Sequence, residues 1–454
     1  MRLAVRLAGD TVAEAGFDAR GCAAATAAAS AAVELAHEQP LVVAARVGPD
    51  DVAGALGGLG PAHRHAAALA ADALHRALGA AVVDGAADVE PSARRTLVAM
   101  SGGVDSAVAA QLALERGDEV VAVTLELWSD PETDGAKSCC SPQAVTGARA
   151  LAHRMGLPHL TLDLRGAFRT EVVDDFVAEH EAGRTPNPCV RCNGLVRFDA
   201  MLEVARALGA ARLATGHYAR VTHDSGGPLL RVAADPAKDQ SYMLARLRPD
   251  ELDRLWFPLG GLEKPHVRSL ARATGLSVAD RPESQDLCFL AGRRRAEFLG
   301  RHGAPDRGGG VGEIVDRQGA VLGRHGGHEG FTVGQRRGIG VAAPEPLYVL
   351  HKDAATNRVT VGPRAALASR RVGLRAARLH RPSAAVDRVK LRYRAAPVAC
   401  RVREAAHAGG HDRLTLALDV AVDAIAPGQT ACLMRGDAIV GWGTIDGGMA
   451  SDVR

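Results

Sequence analysis

Aromatic side chains are scarce in this 454-residue chain, at 3% with three Trp, four Tyr and eight Phe, while alanine is abundant. Aliphatic residues therefore have to build the cores. The alanine runs have no fixed period, which excludes a repeat architecture. No apolar run is of transmembrane length, and the opening MRLAVRLAGD is too short and too soon polar for a signal peptide, so a cytoplasmic protein with no membrane role is expected. Charge runs are missing too. The net charge of +3 permits a nucleic-acid partner without requiring one. Cysteines are present, at 22, 139, 140, 189, 192, 288, 400 and 432. In a reducing compartment they do not form a disulfide framework, so chemistry or burial has to explain each of them.

The patterning divides the chain. Residues 1–90 contain two alanine-rich helices, about 22–37 and 61–79, and Gly85 to Ser92 reads as a linker. Over 95–290 strands alternate with helices, which predicts a doubly wound parallel sheet of α/β class. Residues 291–368 turn to glycine-rich turns and short strands, a small central domain. Over 369–454, alternation at Val389, Leu391, Tyr393 and at Leu414, Leu416, Leu418 predicts a small β-barrel.

The most informative segment is Thr96-Leu-Val-Ala-Met-Ser-Gly-Gly-Val-Asp-Ser106, an apolar strand entering a glycine turn that opens a helix. Gly102 and Gly103 remove the side chains that would hold an anion away from successive backbone N–H groups. Ser101 and Ser106 add hydroxyl donors, and Asp105 and Ser106 suit a helix start, so the loop offers phosphate a helix N-terminus. No lysine follows the glycines, which excludes the GxxxxGK[ST] loop that grips a transferred γ-phosphate. Further on, Thr185-Pro-Asn-Pro-Cys-Val-Arg-Cys-Asn193 sets Cys189 and Cys192 at CxxC spacing, in a segment whose two prolines argue against regular helix. Alone, that spacing reads equally as a redox pair, half a zinc site or two buried small residues. Cys288 lies in Glu283-Ser-Gln-Asp-Leu-Cys-Phe289. Cys139 and Cys140 are open to burial or function alike, whereas Cys400 and Cys432 sit among Val398, Val402 and Leu433 as core residues.

The glycine turn resembles the PP-loop of the ATP pyrophosphatases. Together with TPNPCVRCN, Ala214-Thr-Gly-His-Tyr-Ala-Arg220, Lys238-Asp-Gln-Ser-Tyr-Met-Leu244, ESQDLCF and Phe331-Thr-Val-Gly-Gln-Arg-Arg-Gly338, it makes the chain from about 95 onward resemble the bacterial tRNA-specific 2-thiouridylases. That resemblance implies ATP-dependent replacement of oxygen by sulfur at the 2-position of the wobble uridine of tRNA. Ala99, Met100, Ser101, Gly102, Gly103, Val104, Asp105, Ser106, Leu125 and Gly216 would form the ATP site, with Mg2+ and with Gly216 letting the adenosine approach. Cys288 would take up sulfur as a persulfide and Cys192 would work opposite it. Contacts to tRNA would come from Asn187, Pro188 and Cys189 at the target base, and from His217, Lys238, Asp239, Gln240, Arg392, Tyr393 and Gln429. Lys390, Arg392 and Arg394 would share one strand face. Much of that family has aspartate where this chain has Cys189. Its acid/base role does not transfer, and Cys189, Cys192 and Cys288 would alternatively suit a [4Fe-4S] cluster with one open iron.

Residues 1–90 are additional to that pattern. Phe17 to Ser30, Pro61 to His65 and Leu69 to Ala73 resemble the NifU/IscU-like iron–sulfur scaffolds, with only Cys22 and His65 matching the ligands and Ala66 at the last cysteine position. The resemblance implies a degenerate scaffold that docks a cysteine desulfurase or another sulfur carrier, with Cys22 as a relay or simply as a buried thiol.

Overall fold

The computed structural model describes residues 1–130, 142–282, 287–290, 292–303 and 310–448. Cys139, Cys140 and Glu283 to Asp286 lie outside the described residues.

The chain opens with an antiparallel hairpin, β1 (Arg2–Ala8) and β2 (Thr11–Asp18), followed by α1 (Ala23–Ala36), α2 (Leu41–Ala44), α3 (Pro49–Ala55) and α4 (Arg64–Val83). Both alanine-rich helices thus form close to the expected limits. The helical stretch Pro61–Val83 is long and apolar enough to cross a bilayer, which sequence reading did not anticipate. Its apolar side, with Ala67, Ala70, Leu74 and Leu78, is instead buried in the protein core.

The catalytic-type unit is a five-stranded sheet, parallel throughout, of β3 (Ser92–Ala99), β4 (Glu119–Glu126), β5 (His159–Asp163), β6 (Ala210–Thr215) and β9 (Leu255–Trp256), in the order β5-β4-β3-β6-β9. Strands such as β4 are buried on both faces, as a sheet covered by helices requires. Helix α5 (Val104–Glu115) links β3 to β4, and α6 (Pro142–Arg154) precedes β5. Between β5 and β6 lie α7 (Arg165–Phe168), α8 (Asp175–Glu181), α9 (Pro188–Cys192) and α10 (Phe198–Ala207). The chain steps outward from β3 to β5 and then returns to the other side of β3. The crevice at the carboxyl ends of β3 and β6 is therefore the topological switch point, where ligands of such sheets bind.

Beyond it come β7 (Arg220–Asp224), β8 (Gly227–Arg231), α11 (Pro249–Leu252), α12 (Lys264–Ala273) and α13 (Arg295–His302). The central domain is a four-stranded sheet of β10 (Gly312–Val315), β11 (Val321–His325), β12 (Tyr348–Asp353) and β13 (Arg358–Gly362). The last unit joins β14 (Ser369–Leu379), β15 (Arg388–Lys390), β16 (Val398–Val402), β17 (Gly409–Val422), β18 (Thr430–Arg435) and β19 (Ala438–Gly448) in a ring that β19 closes onto β14. It is the expected barrel, filled by Leu374, Val389, Cys400, Leu416 and Leu433. The β7–β8 hairpin belongs to this sheet through the pairing of Ala438 with Arg231, tied by Arg231 to Asp437 at 2.6 Å and Arg381 to Asp224 at 2.7 Å. The expected barrel strand through Leu391, Tyr393 and Arg394 is corrected. β15 ends at Lys390, because Val389 already pairs with Val398 and the chain must turn between them, closed by Ala395 N–H to Arg392 O at 3.2 Å.

Candidate active site

The glycine loop stands at the carboxyl end of β3, at the switch point. Gly102 has φ +74°, a conformation glycine adopts without strain, and a Cβ there would press on the backbone of Ala148 at 3.3 Å. Gly103 is the N-cap of α5. Ser101 is exposed, but Ser106 is buried and its hydroxyl serves the loop itself. It accepts from Ser101 N–H at 3.1 Å and donates to Gly103 O at 3.0 Å. The Ser106 hydroxyl thus helps shape the loop. Met100 is buried, and Leu125 stands half-buried at the rim of β4, one alternate position beyond the Ala99–Val123 pair. At Gly216 the close approach is protein on protein. A Cβ would stand 2.7 Å from Ser106 N and 2.8 Å from Asp105 C, so the glycine lets β6 run up against the start of α5.

Three residues around the loop have no signal in the motif. The Lys264 ammonium, buried at the start of α12, donates to both Asp105 carboxylate oxygens at 2.7 Å. Tyr218 OH donates to Asp105 Oδ1 at 2.9 Å. Arg281 reaches Gly102 O at 3.1 Å. A loop without its own lysine thus has a lysine and an arginine supplied from α12 and the segment after it, and only the fold brings them there.

The CxxC segment is helical, contrary to the reading of its prolines. Pro188 stands at N1 of α9, where its missing N–H costs nothing, and the Asn187 side chain caps Val190 N–H at 3.3 Å. Cys189 stands at the second position of α9 and Cys192 ends it, three residues on. Cys189 is half-buried and Cys192 is 6% exposed. Cys288, half-buried, opens the short turn Cys288–Leu290. Phe289 beside it packs with Phe168, Phe176 and Phe298 at ring separations of 6.0, 5.1 and 5.1 Å, so half of the eight phenylalanines gather under this one turn. Among the described residues no three His, Cys, Asp or Glu side chains gather as a metal-holding group, including Cys189 with Cys192 and Cys288, and Cys22 with His65. Cys22 is exposed at the N-cap of α1. Cys400 and Cys432 are buried, and burial pushes both thiols up to about 12.

Several residues expected at an RNA surface are engaged inside the protein. Asp239 is buried and accepts from Ala233 N–H, Ser241 N–H and Ser241 Oγ at 3.1, 3.2 and 3.0 Å, and faces Lys390 at 3.4 Å. Gln240 Oε1 accepts from Tyr218 N–H at 2.9 Å. His217 bonds Thr215 Oγ1 at 2.8 Å and lies against Phe198 and Phe257; burial and then Arg197 hold it down to about 3. Arg392 is exposed and bonds Ala424 O, Tyr393 is half-buried 6.2 Å from Tyr242, and Lys238 is half-buried.

A parallel sheet with a lysine-free glycine loop at its switch point defines an enzyme of the PP-loop, HUP-fold class. Family models agree in detail: tRNA methyl transferase HUP domain over residues 94–292, tRNA methyl transferase PRC-barrel domain over 296–363, aminomethyltransferase beta-barrel domain over 379–445, and NifU-like N terminal domain over 1–81. The "Bifunctional protein NifU/MnmA" of Rubrobacter xylanophilus is 45% identical over 458 residues, spanning 98% of this chain and 91% of that protein. The "tRNA-specific 2-thiouridylase MnmA" of Geobacter metallireducens is 43% identical over 79% of this chain and 99% of its own length, and that of Sorangium cellulosum 44% identical over 79% and 94%. The chain belongs to the MnmA family of sulfurtransferases, in its form preceded by a NifU-like domain.

Proposed function

We propose that the protein thiolates the 2-position of the wobble uridine of tRNA, through an adenylated uridine and a persulfide on Cys288. The observation that carries this reading is the Ser101–Ser106 loop at the switch point, with Lys264, Tyr218 and Arg281 arranged around Asp105 and Gly102. Backbone N–H groups of the loop take the pyrophosphate of ATP as the uridine O2 attacks the α-phosphate, and Lys264 and Arg281 offset the charge that develops. A carboxylate such as Asp105 with phosphate oxygens suits Mg2+, which would neutralise that charge further.

Adenylation turns O2 into a leaving group. The terminal sulfur of the Cys288 persulfide attacks C2, and AMP departs with the oxygen. Cys192 thiolate then attacks the Cys288 sulfur, which releases the thiouridine and leaves a Cys192–Cys288 disulfide for a thiol reductant. A cysteine desulfurase or another carrier renews the persulfide. An ATP-splitting loop and two cysteines suited to sulfur transfer favour thiolation over the methyl transfer in the family models' description.

The full chain incubated with ATP, unmodified tRNA, cysteine and a desulfurase should form 2-thiouridine. Cys192→Ser and Cys288→Ser should each abolish product while pyrophosphate release persists. Product from either variant at the wild-type rate would overturn the cysteine roles, and tight ATP binding without product in the wild type would point to a small-molecule substrate.

A further inference from the structure

The loop before Cys189 cannot knit itself together. Pro186 and Pro188 lack N–H groups, so within Thr185–Pro188 only Thr185 and Asn187 have backbone donors, and the carbonyls need partners from elsewhere. The barrel supplies them. The turn Pro427–Gly428–Gln429 precedes β18 and is pinned to β19 by Gly428 N–H to Ile445 O and Ile445 N–H to Gln429 O, both 2.8 Å. Its Pro427 O accepts from Thr185 N–H at 2.8 Å. Gln429 Nε2 donates to Thr185 O at 2.7 Å and to Pro186 O at 3.3 Å. Gly428, at φ +90°, lies so close that a Cβ would stand 2.9 Å from Thr185 N. Both Gln429 partners are carbonyls, so the amide must present its NH2 group.

We propose that Gln429 is a positioning residue of the thiolation site: its amide fixes the Thr185–Pro186 backbone, so the barrel sets where Cys189 and Cys192 stand. This rests on the thiolation reading for its kinetic part only. A second tie runs in parallel: Tyr242 OH donates to Thr430 O at 2.7 Å, and the carbonyl of the next residue, Met243, accepts from Asn193 Nδ2 at 3.1 Å directly after Cys192. Seating of tRNA on the barrel would then reach the cysteine helix through hydrogen bonds rather than through the flexible length of chain between them.

The test uses the full chain with Gln429→Glu, which sets a carboxylate against two carbonyls, and Gln429→Met, which keeps size without a donor. Without tRNA, iodoacetamide labelling mapped by mass spectrometry should speed up at Cys189 and Cys192 about threefold or more, while Cys400 in the barrel core stays protected and reports that the barrel is folded. In steady-state thiolation with a desulfurase, cysteine and a thiol reductant, kcat should fall about tenfold or more, with KM for tRNA within about twofold. Unchanged labelling with a raised KM would make Gln429 an RNA contact alone and overturn the proposal. Labelling unchanged and kinetics unchanged would overturn it as well. If the wild type makes no thiouridine, the function reading fails there, and the labelling still decides the role of Gln429.

Discussion

Asp105 is the point where the glycine loop depends on distant sequence. Its carboxylate is held by a lysine 159 positions away, on a side chain only 8% exposed, and by the Tyr218 hydroxyl. Lys264→Met would leave Asp105 without its ammonium partner. Since Asp105 is itself 30% exposed, the stability cost should be below the full penalty for a broken buried pair, about 1–3 kcal/mol. Pyrophosphate release should fall about a hundredfold if the loop takes the pyrophosphate as proposed, because the cation paired with Asp105 at its edge is lost. Pyrophosphate assays at saturating ATP, with a melting curve to confirm folding, check both. Undiminished release would remove Lys264 from the site. The contrast with Gly102 shows what could be read in advance. The turn's need for φ +74° is local and so is written in consecutive residues, whereas the Lys264 contact exists only because α12 returns over the switch point. Ser106 and Gly216 were legible as site positions but not in their roles, since both face the loop's own backbone.

At the scale of elements, the N-terminal unit is fastened to the sheet through its edge strand. His159 N–H donates to Ala45 O at 2.8 Å and His159 O meets His75 Nδ1 at 2.6 Å, so backbone groups of β5 that an edge would leave open are taken up by the NifU-like unit. Asp72 and Arg76 of α4 engage Arg149 and Glu126 of the catalytic unit. Gly79 makes the approach possible, since a Cβ there would lie 2.1 Å from Thr161 O. Two effects oppose each other in Gly79→Ala. Helix propensity favours alanine by about 1 kcal/mol, and overpacking costs about 1–3 kcal/mol. A contact against backbone, which cannot rotate away, puts the second near its upper limit. Net destabilisation of about 1–2 kcal/mol is expected, measured as a lower urea midpoint; an unchanged or raised midpoint would refute the fixed docking. Alanine richness over 61–79 announced α4 as a helix. It could not announce the partner, because two small-residue faces match many surfaces. The same limit applied at Pro188, where a helix-breaking residue is also the one best suited to start a helix.

For the whole molecule, buried histidines set a pH dependence. His75, His180 and His217 are held down to about 3 and His380 to about 4, first by burial and then by neighbouring basic groups: His153 and Arg149 for His75, Arg295 and Lys352 for His180, Arg197 for His217, and Arg378 and Arg381 for His380. All four are neutral in the fold and titrate near the ordinary 6.5 once unfolded. Above that value they add no pH dependence. Below it the unfolded chain binds protons that the native chain refuses, so stability falls by up to about 1.4 kcal/mol per pH unit for each histidine until the folded values are reached. Glu251 works the other way. Burial pushes it up to about 7 from 4.5, so its charge costs stability at neutral pH and the cost lifts as pH falls through that window. Four groups against one leave a net loss, on the order of 3 kcal/mol between about pH 7.5 and about pH 5.5. Urea unfolding at the two pH values, followed by fluorescence of the three tryptophans, should show the midpoint moving down on acidification. His217→Gln, which keeps a polar group beside Thr215 but cannot take a proton, should shrink that shift by roughly two-fifths. A midpoint that is flat or rises toward pH 5.5 would mean that these histidines are charged in the fold, contrary to their burial.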